Sequence, residues 1–177
     1  MELVEGRVTV GGERFPDTDA FVGALSSLGE AHGVTVQAFD ARYVLSRRHL
    51  ERALELADRE RGRDEAIARD RAVEVLLYAA GRRQIDRALA MGVGAGRTPV
   101  VVLVDDPTGD ADGGERSPER AAAAAAGELL EPAETLGAYD TDRVCEFFDI
   151  VEAERDATDA DLETLVLERV ALLVVER

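Results

Sequence analysis

Residues 73–93 read V-E-V-L-L-Y-A-A-G-R-R-Q-I-D-R-A-L-A-M-G-V, and this stretch decides how the chain is organised. An apolar segment leads to Gly81, and beyond it apolar residues recur at the spacing of one helix face. Because glycine adopts backbone angles that are closed to other residues, we predict two helices that meet at Gly81. The corner between them carries the side chains of Arg82, Arg83 and Gln84, and two adjacent arginines in so acidic a chain point to a function.

The composition is that of a globular protein. The chain has 177 residues, of which 46% are apolar, so we predict a single domain over residues 1–177 with a substantial core. The single cysteine, Cys145, cannot form an internal disulfide, and no Cys/His cluster suggests a metal or other cofactor. We find no secretory signal and no apolar segment of membrane-spanning length, so we expect a cytoplasmic protein.

The charge balance allows two interpretations. The net charge is −16, and all 21 basic residues are arginine. Such acidity ordinarily favours a partner that is not nucleic acid, because phosphates repel acidic surfaces. The alternative is a protein from a high-salt organism, which the absence of lysine and the abundance of alanine favour. At molar salt the screening length falls to about 3 Å, so only local charge arrangements would matter.

Apolar patterning predicts both strands and helices. Strands are expected over residues 2–10, 34–39 and 98–104, the last of them a central strand buried on both faces. A short edge strand is expected within 130–139, and helical spacing dominates most of the remaining chain. Residues 105–119 are rich in Asp, Gly, Pro and Ser, so we predict a variable loop there.

A second group of basic residues stands at the start of a predicted helix. Ser46 is a suitable N-cap, and Arg47, Arg48 and His49 follow it. Acidic residues are preferred in a first helical turn, since the helix dipole is positive there. Basic residues at that position conflict with this local preference, and the same place is a natural anion site. An anion site and ordinary surface arginines are both consistent with this pattern.

The last helix is apolar on more than one side. It has the sequence L-E-T-L-V-L-E-R-V-A-L-L-V-V-E-R at residues 162–177. Val166, Val170 and Leu173 share one face of this helix, and Leu167, Ala171 and Val174 extend the apolar character to another. Such a helix is either deeply buried or shared with a partner. A strand over residues 170–175 is the other possibility.

No catalytic constellation is evident. The only histidines are His32 and His49, and they form no recognisable Ser-His-Asp or Cys-His arrangement. The glycine-rich residues 92–96 follow a predicted helix and precede a strand, which is the reverse of the order in a nucleotide-binding loop. We therefore predict that the protein is not an enzyme. A small-molecule-binding regulatory domain or an α/β hydrolase is the alternative.

Three segments together resemble a known family. They are D-A-R-Y-V-L-S-R-R-H-L-E-R-A-L-E-L-A at residues 40–57, V-E-V-L-L-Y-A-A-G-R-R-Q-I-D-R-A-L at 73–89 and L-E-R-V-A-L-L-V-V-E at 167–176. They are similar to the small kinase-binding, TPRKB-type subunit of the KEOPS tRNA-modification complex, in its archaeal form. Tyr78 and Ala80 depart from that pattern, since arginine and serine are usual at these positions.

The resemblance implies a mixed α/β fold, with a small, mostly antiparallel or mixed sheet covered by helices. It implies a protein without catalytic activity or cofactor that binds the KEOPS kinase/ATPase subunit directly, and the transferase and dimerising subunits indirectly. It also implies capture of the single-stranded 3′ CCA end of tRNA, for threonylcarbamoyladenosine modification next to the anticodon.

The candidate residues follow from this resemblance and from the residue types. The RNA-binding candidates are Arg47, Arg48, His49, Gly81, Arg82, Arg83 and Gln84. Arginine supplies forked donors for phosphates and planes for base stacking, Gln84 can contact a base edge, and Gly81 would allow close approach of the backbone. The alternative is that His49 and Gln84 satisfy buried backbone groups. The candidates for kinase binding are Val166, Val170, Leu173 and Val174.

Overall fold

The computed structural model describes residues 1–108 and 117–175. In chain order its elements are β1 (Glu2–Val10), α1 (Thr18–His32), β2 (Thr35–Asp40), α2 (Arg47–Arg61), α3 (Arg71–Ala80), α4 (Ile85–Ala88), β3 (Gly96–Asp105), α5 (Pro118–Gly127), β4 (Glu131–Pro132), α6 (Thr141–Phe147), α7 (Glu152–Asp156) and α8 (Leu162–Leu172). Two compact units form, one from residues 1–41 and 92–135 and one from 42–91 and 136–177, so no single cut of the sequence separates them.

The first unit is built on an antiparallel sheet. Its four strands lie in the order β2-β3-β1-β4, and every neighbouring pair is antiparallel. Side chains of α1 and α5 join alternate residues of the strands in one apolar core. The prediction of a mixed fold with a small antiparallel sheet covered by helices is confirmed. The predicted central strand is also confirmed, because residues 100–104 of β3 are all buried.

The predicted variable loop, residues 105–119, lies mainly outside the described part of the chain, since residues 109–116 are not described. The residues at its two ends belong to neighbouring elements, so the loop is shorter than predicted. Asp105 is the last residue of β3, and Ser117 caps α5 by accepting a hydrogen bond from the backbone amide of Arg120. None of the helices in residues 1–108 and 117–175 has the length and apolar character needed to cross a membrane.

The second unit consists of helices, with α8 packed against both α2 and α3. The prediction of Ser46 as the cap of α2 is confirmed, because its side chain accepts a hydrogen bond from the backbone amide of His49. Asp70 caps the next helix, α3, because its side chain accepts a hydrogen bond from the backbone amide of Val73. The chain continues as a helix to Leu172, so the alternative of a final strand is wrong.

A buried carboxylate connects α3 to the loop before it. Glu74 is fully buried, and its oxygens accept hydrogen bonds from the backbone amides of Ile67 at 3.0 Å and Ala68 at 2.6 Å. Two such bonds satisfy a charge that would otherwise be costly to bury. Glu74 therefore anchors the loop between α2 and α3. The sequence gives little sign of this role, because Glu74 is simply an acid within an apolar stretch.

Candidate functional site

The two helix ends singled out by the sequence lie at the same end of a helix pair. Nε2 of His49, in the first turn of α2, lies 2.9 Å from the carbonyl oxygen of Ala79, in the last turn of α3. At the other end, Arg71 of α3 donates to Asp58 of α2 at 2.7 Å. The two helices therefore run antiparallel, and the start of α2 lies beside the end of α3. We call the four arginines at these ends the arginine corner: Arg47, Arg48, Arg82 and Arg83.

The arginines at the start of α2 are exposed. Nε of Arg47 donates to Glu51 at 2.8 Å, one helical turn away, so a carboxylate already offsets part of its charge. Hydrogen bonds from Thr164, and then the positive charge of Arg48, lower the pKa of Asp161. Arg48 thus lies close enough to the start of α8 to act on its capping carboxylate.

The arginines after α3 differ in their surroundings. Nη2 of Arg82 donates to the carbonyl oxygen of Phe147 and, at 2.7 Å, to Asp149, and the guanidinium carbon lies 5.7 Å from the centre of the Phe147 ring. Nη1 of Arg83 lies 3.5 Å from the carbonyl oxygen of Leu173, while the residue as a whole is exposed. Arg82 therefore connects the corner to Phe147 and Asp149, whereas Arg83 has more of its surface accessible to a ligand.

Gln84 lies on the surface beside these arginines. It is exposed and occupies the N-cap position of α4, but its side chain makes no capping hydrogen bond. The alternative in which Gln84 satisfies a buried backbone group is therefore wrong. Its amide is accessible to a base edge, and that role stays a prediction.

His49 is fully buried, so the structure corrects its assignment to RNA binding. Its Nε2 bonds the Ala79 carbonyl oxygen, and its ring makes an edge contact with Phe148 at 5.9 Å between centres. Burial lowers the pKa of His49 to about 4, so the ring is neutral at pH 7 and Nε2 carries the proton it donates to Ala79. A side chain without exposed surface cannot stack on a base. His49 instead holds the two helix ends together.

Gly81 also has a structural reason for being glycine. Its φ angle is +58°, in the left-handed region, and a Cβ atom there would lie 3.2 Å from the carbonyl oxygen of Arg169 in α8. The backbone that approaches Gly81 closely is therefore that of the last helix. This corrects the prediction that Gly81 leaves room for RNA at that position.

Tyr78 stands where relatives were expected to have arginine, and it is buried. Burial, and then the negative charges of Glu74 and Glu60, raise the pKa of its hydroxyl to about 12. Tyr78 is therefore neutral at all physiological pH values and belongs to the packing between the helices.

The face of α8 that was predicted to bind the kinase is not the face that is accessible. Val166, Val170 and Leu173 are buried within the chain, and Val174 is half-buried. Completely covered side chains cannot contact a partner, so the choice of these three residues as a docking surface is wrong. Leu172 and Val175, which are 45% and 73% exposed, are the large apolar residues that remain accessible at this end of the chain.

A concave surface lies between the outer face of α8 and α2. We call it the α2–α8 groove; its cavity has a volume of about 510 Å³, and it is lined by Arg48, Glu51, Arg52, Glu55, Thr164, Leu167, Glu168 and Ala171. Leu167 and Ala171 are half-buried there and provide the apolar part of its lining. These are the residues of the second apolar face that the sequence of the last helix indicated.

The amino-acid sequence matches one family model. The family is described as kinase binding protein CGI-121, and the match covers residues 25–173. This range contains both helix ends of the arginine corner and all eight residues of the α2–α8 groove. No curated protein matches the chain.

Proposed function

The chain belongs to the CGI-121 family of kinase-binding proteins, and from this premise we propose that it is a cytoplasmic, non-catalytic subunit of a KEOPS complex. Its direct partner in this proposal is the kinase/ATPase subunit, and its indirect partners are the transferase and dimerising subunits. Family membership supports the kinase partner. The resemblance of the motifs at residues 40–57 and 73–89 supports the wider complex and its tRNA substrate.

We further propose that the arginine corner binds the single-stranded 3′ CCA end of tRNA. The observation that carries this proposal is the 2.9 Å contact between His49 and Ala79, because it holds the two pairs of arginines at one end of the α2–α3 pair. Groups from two separate segments of the chain can then act on one short stretch of RNA.

In this proposal the exposed side chains make different types of contact with the RNA. Arg48 and Arg83 contact phosphates or stack on bases, and Gln84 contacts a base edge. Arg47 and Arg82 already have carboxylate partners, Glu51 and Asp149, so each exchanges a carboxylate for a phosphate when RNA binds. The pairs hold these guanidinium groups in place before the RNA arrives, which reduces the conformational entropy lost on binding.

The test is the binding of a tRNA labelled at its 3′ end to the double variant Arg48→Ala/Arg83→Ala. Both side chains are exposed, so the variant should fold normally. We expect affinity to fall about tenfold for each lost contact, or about 100-fold in all. The slope of log K against log salt should become shallower by about 0.7 per lost phosphate contact.

Arg69→Ala is the matched control, because Arg69 is an exposed arginine at the opposite end of the α2–α3 pair. We expect this variant to bind tRNA like the wild type. Unchanged affinity of the double variant would refute the assignment to the arginine corner. Equally tight binding of a tRNA without its CCA end would refute the assignment to the 3′ tail.

A further inference from the structure

A cavity of the second unit is not used by the proposed function. It has a volume of about 520 Å³ and is lined by Tyr43, Asp140, Asp142, Arg143, Glu146 and Phe147. All six residues belong to the second unit, and none of them is part of the arginine corner. The lining therefore combines two aromatic rings, one guanidinium group and three carboxylates.

The aromatic rings of this cavity already bind guanidinium groups of the chain itself. The rings of Tyr43 and Phe147 lie 5.0 Å apart between centres, and both residues are half-buried, so part of each side chain is accessible. The guanidinium carbon of Arg143 lies 5.5 Å from the centre of the Tyr43 ring, and that of Arg82 lies 5.7 Å from the centre of the Phe147 ring. These distances are those of cation–π contacts, so the wall suits a further cation.

The carboxylates of the cavity are only partly paired. Asp140 accepts a hydrogen bond from the backbone amide of Arg143 at 3.0 Å, and its Oδ2 lies 3.9 Å from Nε of Arg143. Asp142 and Glu146 are exposed, and within the described part of the chain their side chains form no hydrogen bond or ion pair. Three carboxylates and one guanidinium give the lining a formal charge of −2, which attracts a cation and repels a phosphate.

We propose that this cavity binds the arginine side chain of a partner protein. A guanidinium group is planar, so it can stack on an aromatic ring and also donate paired hydrogen bonds to a carboxylate. In this proposal Phe147 supplies the ring, and Asp142 and Glu146 supply the carboxylates. Because the ligand is a cation, the inference goes beyond the proposed binding of an RNA tail.

Other cations suit the cavity less well. The three carboxylates, all of them in the described part of the chain, do not form a group that could hold a metal ion. The ammonium group of lysine is a compact and strongly hydrated charge, and it has no plane that can stack on a ring. The chain itself has arginine at all 21 of its basic positions. Arginine is therefore also the cation that a partner of similar composition would present.

The experiment measures the binding of N-acetyl-arginine amide to the full chain by NMR spectroscopy, which detects weak ligands. We expect saturable binding with a dissociation constant of about 1 mM, as is usual for a ligand of this size. N-acetyl-citrulline amide has almost the same shape but no charge, and we expect it to bind about tenfold more weakly. N-acetyl-lysine amide has the same charge but no planar group, and we expect it to bind about threefold more weakly.

The double variant Asp142→Asn/Glu146→Gln removes both unpaired carboxylates, and we expect it to bind the arginine amide about tenfold more weakly. Both residues are exposed, so the variant should fold normally. Glu152→Gln/Asp156→Asn is the matched control, because it removes two charges from exposed residues of α7 that do not line the cavity. This control should bind within about twofold of the wild type.

Three results would overturn the proposal. The first is a wild-type chain without saturable binding of the arginine amide. The second is equal affinity of the wild type and the double variant, or an equal loss in the control, which would remove the cavity as the site. The third is equally tight binding of the lysine or citrulline amide, which would remove the guanidinium group as the ligand. None of these results bears on the proposed binding of tRNA or of the kinase, so the two proposals fail separately.

Discussion

Replacement of Gly81 by alanine tests why the chain has glycine at the end of α3. The residue has a φ angle of +58°, and a Cβ atom would lie 3.2 Å from the carbonyl oxygen and 3.3 Å from the carbonyl carbon of Arg169. An L-residue in the left-handed region costs about 1 kcal/mol or more. The added methyl group must also move the backbone of α8 by a few tenths of an ångström.

We expect these two effects together to lower the free energy of unfolding by about 2–3 kcal/mol. In a protein of this size that corresponds to a fall in Tm of roughly 4–10 °C. Gly33→Ala isolates the first effect. Gly33 also has a left-handed backbone, with φ of +67°, but apart from its own neighbours in the chain no atom of the described residues lies within 4 Å of the position of its Cβ. That variant should lose only about 1 kcal/mol.

The assay is urea unfolding followed by circular dichroism, with tRNA affinity measured on the same preparations. The difference between the two variants measures the contact of Gly81 with the last helix. If Gly81→Ala is no less stable than Gly33→Ala, the close approach of Arg169 is not what requires the glycine. A fully stable Gly81→Ala variant with weakened tRNA binding would instead restore the role in RNA recognition.

Further predictions concern buried and paired groups. Glu74→Ala should lower the free energy of unfolding, measured in urea, by about 2–4 kcal/mol, because two backbone amides lose their acceptor. Glu74→Gln should lower it by less. Equal losses in the two variants would contradict the role of the two hydrogen bonds. The pKa of His49 is about 4 in the folded chain and about 6.5 in the unfolded one, so as pH falls from 6.5 towards 4 the unfolded state takes up the proton first and stability is lost. Between pH 7 and 5.5 the free energy of unfolding should fall by about 1 kcal/mol more in the wild type than in His49→Gln. Parallel curves of unfolding free energy against pH for the two proteins would refute this. Arg82→Ala should lower Tm by a few degrees, whereas Arg83→Ala should chiefly weaken tRNA binding; the reverse result would mean that the two arginines exchange roles.

The local signals in the sequence predicted much of the fold. Ser46 and the glycine after α3 mark helix ends because a capping hydroxyl and a left-handed residue are required by the backbone itself. The run of residues 98–104 is apolar without alternation, which is what a strand covered on both faces needs. Such features depend on neighbours in sequence, so one sequence is enough to find them.

The candidate site was predicted less completely, because the errors concern contacts between distant segments. Whether His49 is exposed depends on α3 lying 30 residues away, and its hydrogen bond to Ala79 cannot be found from residue spacing. The sequence showed two apolar faces on the last helix but could not tell which face the protein itself covers. That choice depends on how α8 packs against α2 and α3, and in the folded chain Val166 is buried while Leu167 is half-buried.

In the proposed tRNA site, binding of an anion by so acidic a chain depends on the local charges of the arginine corner. The net charge of −16 would repel RNA at low salt, yet at molar salt charges more than about 3 Å apart are screened. Contacts of 2.7–2.8 Å, such as those of Arg47 with Glu51 and Arg82 with Asp149, are within this limit. A phosphate that replaces either carboxylate therefore meets a guanidinium at contact distance, while most other acids of the surface no longer act on it. Binding by such an exchange depends on the few groups at the corner and not on the total charge.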